Sequence, residues 1–163
     1  MVKNELLYKT KYKKYFLIII VVLIIDIFSK YWIFNNLDLY KTKQILSILN
    51  LFHVHNYGVA FSLLSYQTIW NRIFLSMLNI VIILLIFKEI LKAKQKMEKL
   101  ALCFIISGAI GNLIDRIYYG FVIDFIDIHI NTWHFATFNM SDCSIMIGTL
   151  IYIQNKYNIF KKK

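Results

Sequence analysis

Proline is absent from this chain, and no low-complexity segment or internal repeat marks a boundary either, so the 163 residues read as one domain. Cysteine is nearly absent. Cys103 and Cys143 fall near opposite ends of two different apolar runs. Bridged Cα atoms lie within about 7 Å, so a disulfide between them is excluded and both read as packing residues. There is no HExxH and no Cys/His cluster, and His53, His55, His129 and His134 all lie outside the apolar runs, which argues against a metal site. GxSxG is missing, and Ser29, Ser141 and Ser144 have no His or Lys partner at the mouth of a run, which argues against serine chemistry. Acidic residues are few, nine against 19 basic ones, for a net charge of +10. The lysines flank apolar runs and do not line a groove with interleaved aromatics, so nucleic acid is not the expected partner. Arginine is scarcer still, with only Arg72 and Arg116.

What is present is apolar side chain. The chain is 59% hydrophobic and 17% aromatic with a mean hydropathy of +0.58, more apolar than a soluble domain of this size. Runs at 16–34, 69–91, 100–119 and 138–155 each approach the ~20 residues that cross a ~30 Å hydrocarbon layer. Four transmembrane helices are expected. The basic start followed by FLIIIVVLII is similar to a signal peptide, but no small-x-small site follows and a charge enters at Asp26, so an uncleaved first span is expected. Lys3, Lys9, Lys11, Lys13 and Lys14 precede the first run, Lys88, Lys92, Lys94, Lys96 and Lys99 lie between the second and third, and Lys156 and Lys161 to Lys163 follow the fourth. The 36–68 connection holds only Lys41 and Lys43, and the 120–137 connection no Lys or Arg. Positive charge stays inside, so both termini are expected in the cytoplasm and segments 36–68 and 120–137 outside it.

Those outer segments carry strand signals. QILSILNLFHVH and NYGVAFSLL suggest short strands with a turn around Asn56-Tyr57-Gly58, and GFVIDFIDIHI (120–130) reads as a strand after Gly120 ends the third run. The expected fold is an all-α membrane bundle with a small extracytoplasmic β element. Tyr118, Tyr119, Trp133 and Phe135 fit an interfacial aromatic belt.

The charged residues inside this apolar frame carry the functional signal. Asp26 and Lys30 are four apart and share a helix face. They read either as a structural ion pair supporting a site or as direct participants in it. In the third run Ser107, Gly108 and Gly111 permit close helix approach, and Asn112, Asp115 and Arg116 continue the same side. For Asp115 a structural ion pair is the favoured reading, whereas the Asn112 amide and the Arg116 fork suit a peptide carbonyl. Asn139 and Asp142 are three apart at the mouth of the fourth run, and Asp124 lies eighteen residues before Asp142. They are either interfacial or capping groups or two carboxylates meeting at the membrane surface. A shared site in low dielectric would raise one pKa and leave the other lower, the pattern that activates water and polarises a carbonyl. Asp127 on a strand would point away from Asp124.

Taken in order, DIFSK (26–30), NYGVAFSLL (56–64), GAIGNLIDRIYYGFVIDFID (108–127) and WHFATFNMSD (133–142) resemble the prolipoprotein signal peptidases, the type II signal peptidases. The resemblance covers nearly the whole chain. It implies a four-span inner-membrane aspartyl peptidase of bacteria, with its active site at the outer, periplasmic face and an extracytoplasmic β cradle. Such a peptidase removes the signal peptide from a diacylglyceryl-modified prolipoprotein, cutting just before the lipidated cysteine. Carried over by motif, Asp124 and Asp142 are the catalytic dyad. Asn56, Asn112, Arg116 and Asn139 match substrate-pocket positions, and Asp26, Lys30, Gly58, Gly111 and Asp115 match supporting ones. No cofactor or metal is implied, the partners are lipid-modified substrate and membrane lipid, and a monomer is expected. The chain departs from the family pattern at Ser141, where Ala is usual and which adds a hydroxyl beside the dyad, at His55, where Arg commonly stands, and at Ile123 in place of Val. The rival class is a small ion or proton carrier, since intramembrane charges also mark translocation paths. Against it, the polar residues gather toward the outer half, and spans two and four are apolar inward apart from Asn71, Arg72 and Asn79. A scaffold in which every charge is merely paired is a third reading; it leaves the Asp124 and Asp142 blocks unexplained.

Overall fold

A computed structural model describes residues 2–58 and 66–161. Its elements in chain order are α1 (Val2–Asn36), β1 (Thr42–Leu46), β2 (Leu49–Asn56), α2 (Ile69–Lys92), α3 (Lys96–Tyr118), β3 (Val122–Ile130), β4 (Trp133–His134) and α4 (Met140–Phe160). Among the described residues three helices are long and apolar enough to cross a membrane: Lys13–Asn36 within α1, Ile69–Lys92 and Lys96–Tyr118. Within these stretches 17% of the α1 window and 11% of the α2 window are buried, against 56% for α3. α3 is therefore the central helix, packed by α1, α2 and α4. Large apolar side chains such as Phe16, Phe28, Phe74 and Leu84 face outward. Hydrocarbon accepts them, while polar groups turn to the bundle interior.

The fourth apolar run is also helical, and longer than 138–155: α4 covers 21 residues, about 30 Å at ~1.5 Å per residue. α3 likewise starts at Lys96 and not at 100, because its polar first turn has a partner: Glu98 accepts from Lys156 of α4 at 2.6 Å. At the other end α3 stops at Gly120, whose φ of 89° only glycine adopts without strain. Arg72 of α2 reaches over that end and donates to the carbonyls of Arg116, at 2.9 Å, and Ile117. These are helix-end acceptors with no intrahelical partner, so Arg72 acts as a cap supplied by a neighbouring helix.

Close approach of α3 and α4 rests on small residues. A Cβ on Gly108 would meet the Ser141 carbonyl and lie 2.7 Å from Ile145 Cγ1, and one on Gly148 would lie 2.6 Å from the Ala101 carbonyl. Gly108→Ala is thus expected to push the helices apart and cost about 1–3 kcal/mol, in the range of other overpacked sites. Thermal unfolding of the purified variant in detergent, showing a lowered midpoint, checks this.

The four strands form one antiparallel sheet in the order β1-β2-β3-β4. Ile33 at the end of α1, Ile123 and Phe125 form its core against the bundle. β2 ends at Asn56, where the turn around Asn56-Tyr57-Gly58 is expected, and Gly58 N bonds back to the Asn56 side chain. The β1–β2 hairpin turns at Ser47-Ile48, because β2 runs on to Asn56 by pairing with β3 from Leu49↔Ile128 to Asn56↔Val122. The strand expected beyond Gly58 falls on 59–65, outside the described residues. Asn71 of α2 donates to the Tyr57 carbonyl at 3.0 Å and the Tyr66 carbonyl at 2.9 Å, pinning both flanks of that segment.

Candidate functional site

The chemistry-bearing side chains converge where the outer ends of α1, α3 and α4 meet the sheet. On α1, helical spacing places Asp26 and Lys30 on one face, and both are fully buried. Lys30 Nζ lies 2.8 Å from Asp26 Oδ2 and 3.0 Å from Asp115 Oδ2 and donates to Asn112 Oδ1 at 3.1 Å, so one ammonium faces two carboxylates and an amide oxygen. Each carboxylate of this triad also holds a backbone amide. Asp26 Oδ1 accepts from Ser141 N at 2.7 Å, and Asp115 Oδ2 from Ile123 N at 3.1 Å. Those amides belong to the residues just before Asp142 and Asp124. One buried ammonium therefore sets the backbone on both sides of the site.

Asp124 on β3 and Asp142 on the first turn of α4 meet around Asn139, the N-cap of α4. Asn139 Nδ2 donates to Asp124 Oδ1 at 2.7 Å and its backbone N–H to Asp142 Oδ2 at 3.2 Å, while its Oδ1 accepts from Asp142 N at 2.9 Å. The last two bonds form a capping box. Asp142 is thus a capping group and a cleft group at once, and the two sequence readings of it are compatible. Asn56 Nδ2 donates to Asp124 Oδ2 at 2.8 Å, and Asn112 Nδ2 to Asp142 Oδ1 at 2.9 Å. Burial first, and then the nearby Asp142 carboxylate, push Asp124 up to about 7.

A cleft of about 640 Å³ opens over these groups, lined by Asn56, Asn112, Arg116, Asp124, His134 and Asp142 among others. A second cavity of about 270 Å³, mainly apolar, runs between α2, α3 and α4 and shares Asn112, Arg116 and Ile145 with it. Arg116 donates to a peptide carbonyl at 2.8 Å, that of the chain's own Gly58, and Gly58 N donates to Asn56 Oδ1 at 2.9 Å. Gly111 lies beneath: a Cβ there would come within 2.6 Å of Asp26 Oδ2. The Ser141 hydroxyl packs against Gly111 and makes no hydrogen bond; it faces the α1–α3 contact. His55 stacks on Phe121 with ring centroids 3.6 Å apart, and burial together with His53 pushes it down to about 4. At neutral pH it brings no charge to the cleft, unlike an arginine.

All the sequence-derived site residues thus meet in one place. Sequence reasoning passed over a cluster of Asn50, Asp127 and His134. Asp127, three residues past Asp124 on β3, is buried and bonded to Asn50 at 3.0 Å and His134 at 2.9 Å. A buried acid on a strand beside two histidines was the available signal.

Residues 18–157 match the family described as Signal peptidase (SPase) II. The chain is 54% identical over 155 residues to the lipoprotein signal peptidase of Buchnera aphidicola subsp. Acyrthosiphon pisum (strain Tuc7), covering 93% of this chain and 97% of that one. The lipoprotein signal peptidase of Citrobacter koseri is 44% identical over 138 residues, covering 83% and 85%. A bacterial membrane enzyme solved by the in meso method superposes with a TM-score of 0.84 at 29% identity, covering 92% and 91%. With relatives this similar over nearly the full length, and with membrane-crossing helices around a polar cleft, the chain belongs to the signal peptidase II family and is a membrane peptidase.

Proposed function

We propose that this chain removes the signal peptide from diacylglyceryl-modified prolipoproteins, cutting before the lipidated cysteine, with Asp124 and Asp142 as an aspartyl dyad. The observation that carries this is the meeting of two carboxylates around Asn139 in a cleft beside an apolar cavity. Asp124, with its pKa near 7, holds the shared proton and polarises the scissile carbonyl. Asp142 is the base that takes a proton from water as it attacks. The tetrahedral intermediate collapses as that proton passes to the leaving amine, and no covalent enzyme intermediate forms. Asn56 and Asn112 on the cleft wall, and the fully buried Asn139 behind it, hold the carboxylates in place, and Arg116, also on the cleft wall, offers its guanidinium to a peptide carbonyl.

In this reading the chain is one monomeric domain in the bacterial inner membrane, with α4 as a fourth span. The lysines of the α2–α3 junction and both termini lie in the cytoplasm, and the cleft opens at the periplasmic face. The acyl chains stay in lipid and the apolar cavity takes the signal peptide. Purified protein incubated with a lipidated prolipoprotein and with its unlipidated form is expected to release signal peptide from the first only. No release from either, or equal release from both, contradicts the proposal.

A further inference from the structure

His134 is held on the cleft rim by groups that have no part in the dyad. Asp127 is 4% exposed; its cross-strand partner Asn50 donates to Oδ2 at 3.0 Å, and His134 Nδ1 lies 2.9 and 3.0 Å from its two oxygens. A carboxylate only accepts, so Nδ1 is the donor in this contact, and Nε2 is the nitrogen left over for a substrate. His129, paired with His134 across β3 and β4, stacks on the ring at 5.1 Å and fixes its plane. The side chain is nonetheless 52% exposed and lines the cleft that holds Asp124 and Asp142. A buried acid, an amide and a second ring thus orient one imidazole whose remaining nitrogen has no structural task.

We propose that His134 is a substrate-contacting residue, which takes a backbone N–H of the extended peptide beyond the scissile bond; this rests on the peptidase reading above. Asp127 is three residues past Asp124 on β3, about 10 Å at ~3.3 Å per residue, or some three residues of extended substrate. In the proposed orientation the sheet lies on the periplasmic side of the dyad and the signal peptide on the membrane side, which assigns this subsite to the segment that follows the cleavage point. Asp127 and Asn50 are positioning residues for it.

The test compares two lipidated substrates, one ending directly after the residue next to the cysteine and one continuing for six residues. His134→Ala is expected to raise KM about fivefold on the long substrate, the worth of one hydrogen bond, with little change in kcat and none in KM on the short one. His134→Gln, whose side-chain carbonyl can accept the same N–H, is expected to restore most of the loss. An unchanged KM on the long substrate, an equal change on both, or a loss confined to kcat overturns the proposal while leaving the peptidase reading intact. If the wild-type chain cleaves neither substrate, both fall.

Discussion

Asp124→Asn and Asp142→Asn are each expected to lower the rate of signal-peptide release by about a thousandfold, within the range of positioned acid–base groups, while the protein stays folded and membrane-inserted. Asparagine keeps the shape of the side chain and can still accept through its carbonyl from one of the original donors, the Asn56 and Asn139 amides at position 124 or the Asn112 amide and Asn139 N–H at position 142, so about 1 kcal/mol of hydrogen bonding is at stake. A turnover assay with matched thermal unfolding separates the two effects; normal processing by either variant would falsify the dyad. The wild-type pH profile carries the same information. Asp124 loses its proton as pH rises through about 7, so activity should decline there as both carboxylates become charged. Stability moves in the same direction. A carboxyl whose folded pKa is raised from 3.8 to about 7 contributes most below the unfolded value, and the contribution is lost as pH rises through the folded one. Asp124→Asn stays neutral and should lack that decline between pH 4 and 7.

Lys30→Met should unfold the protein more readily than any other single change considered. It leaves Asp26 and Asp115 buried at 0% and 4% exposure without the ammonium that neutralises them, and breaking a buried pair on one side costs about 3–5 kcal/mol. Activity should fall beyond what unfolding explains. Asn112, whose amide faces Asp142, loses the Lys30 ammonium, and the carboxylates that accept from the Ser141 and Ile123 amides lose the charge that fixes them. Adding Asp26→Asn and Asp115→Asn removes the stranded charges and should recover a large part of the unfolding midpoint but little of the activity. A drop of only a degree or two in Lys30→Met would mean that water reaches the triad.

The triad shows what could be read from the chain. Four-residue spacing in DIFSK announces a shared helix face, and Gly108 to Arg116 announces a polar strip on one side of a helix, because side-chain direction in a helix follows from local geometry alone. The same spacing does not say that Asp26 holds Ser141 and Asp115 holds Ile123, contacts across 115 and 8 residues. The hairpin turn at Ser47-Ile48 is not legible in the chain for the related reason that strand register depends on a partner far along the sequence. Nor could the motif blocks reveal that Asn139 bridges the dyad, since that needs β3 laid beside the start of α4.

By itself the sequence determined that this is a membrane chain with apolar helices, which residues are too polar to face lipid, and that Asp124 and Asp142 head its candidate chemistry. Hydropathy and helical period are local properties, and motif blocks are written in sequence order. Only the tertiary structure decided how the two aspartates are held, which role Ser141 and His55 play, and that Asp127 orients His134 at the cleft. Burial, charge pairing and strand register are set by neighbours that the chain brings together only when it folds.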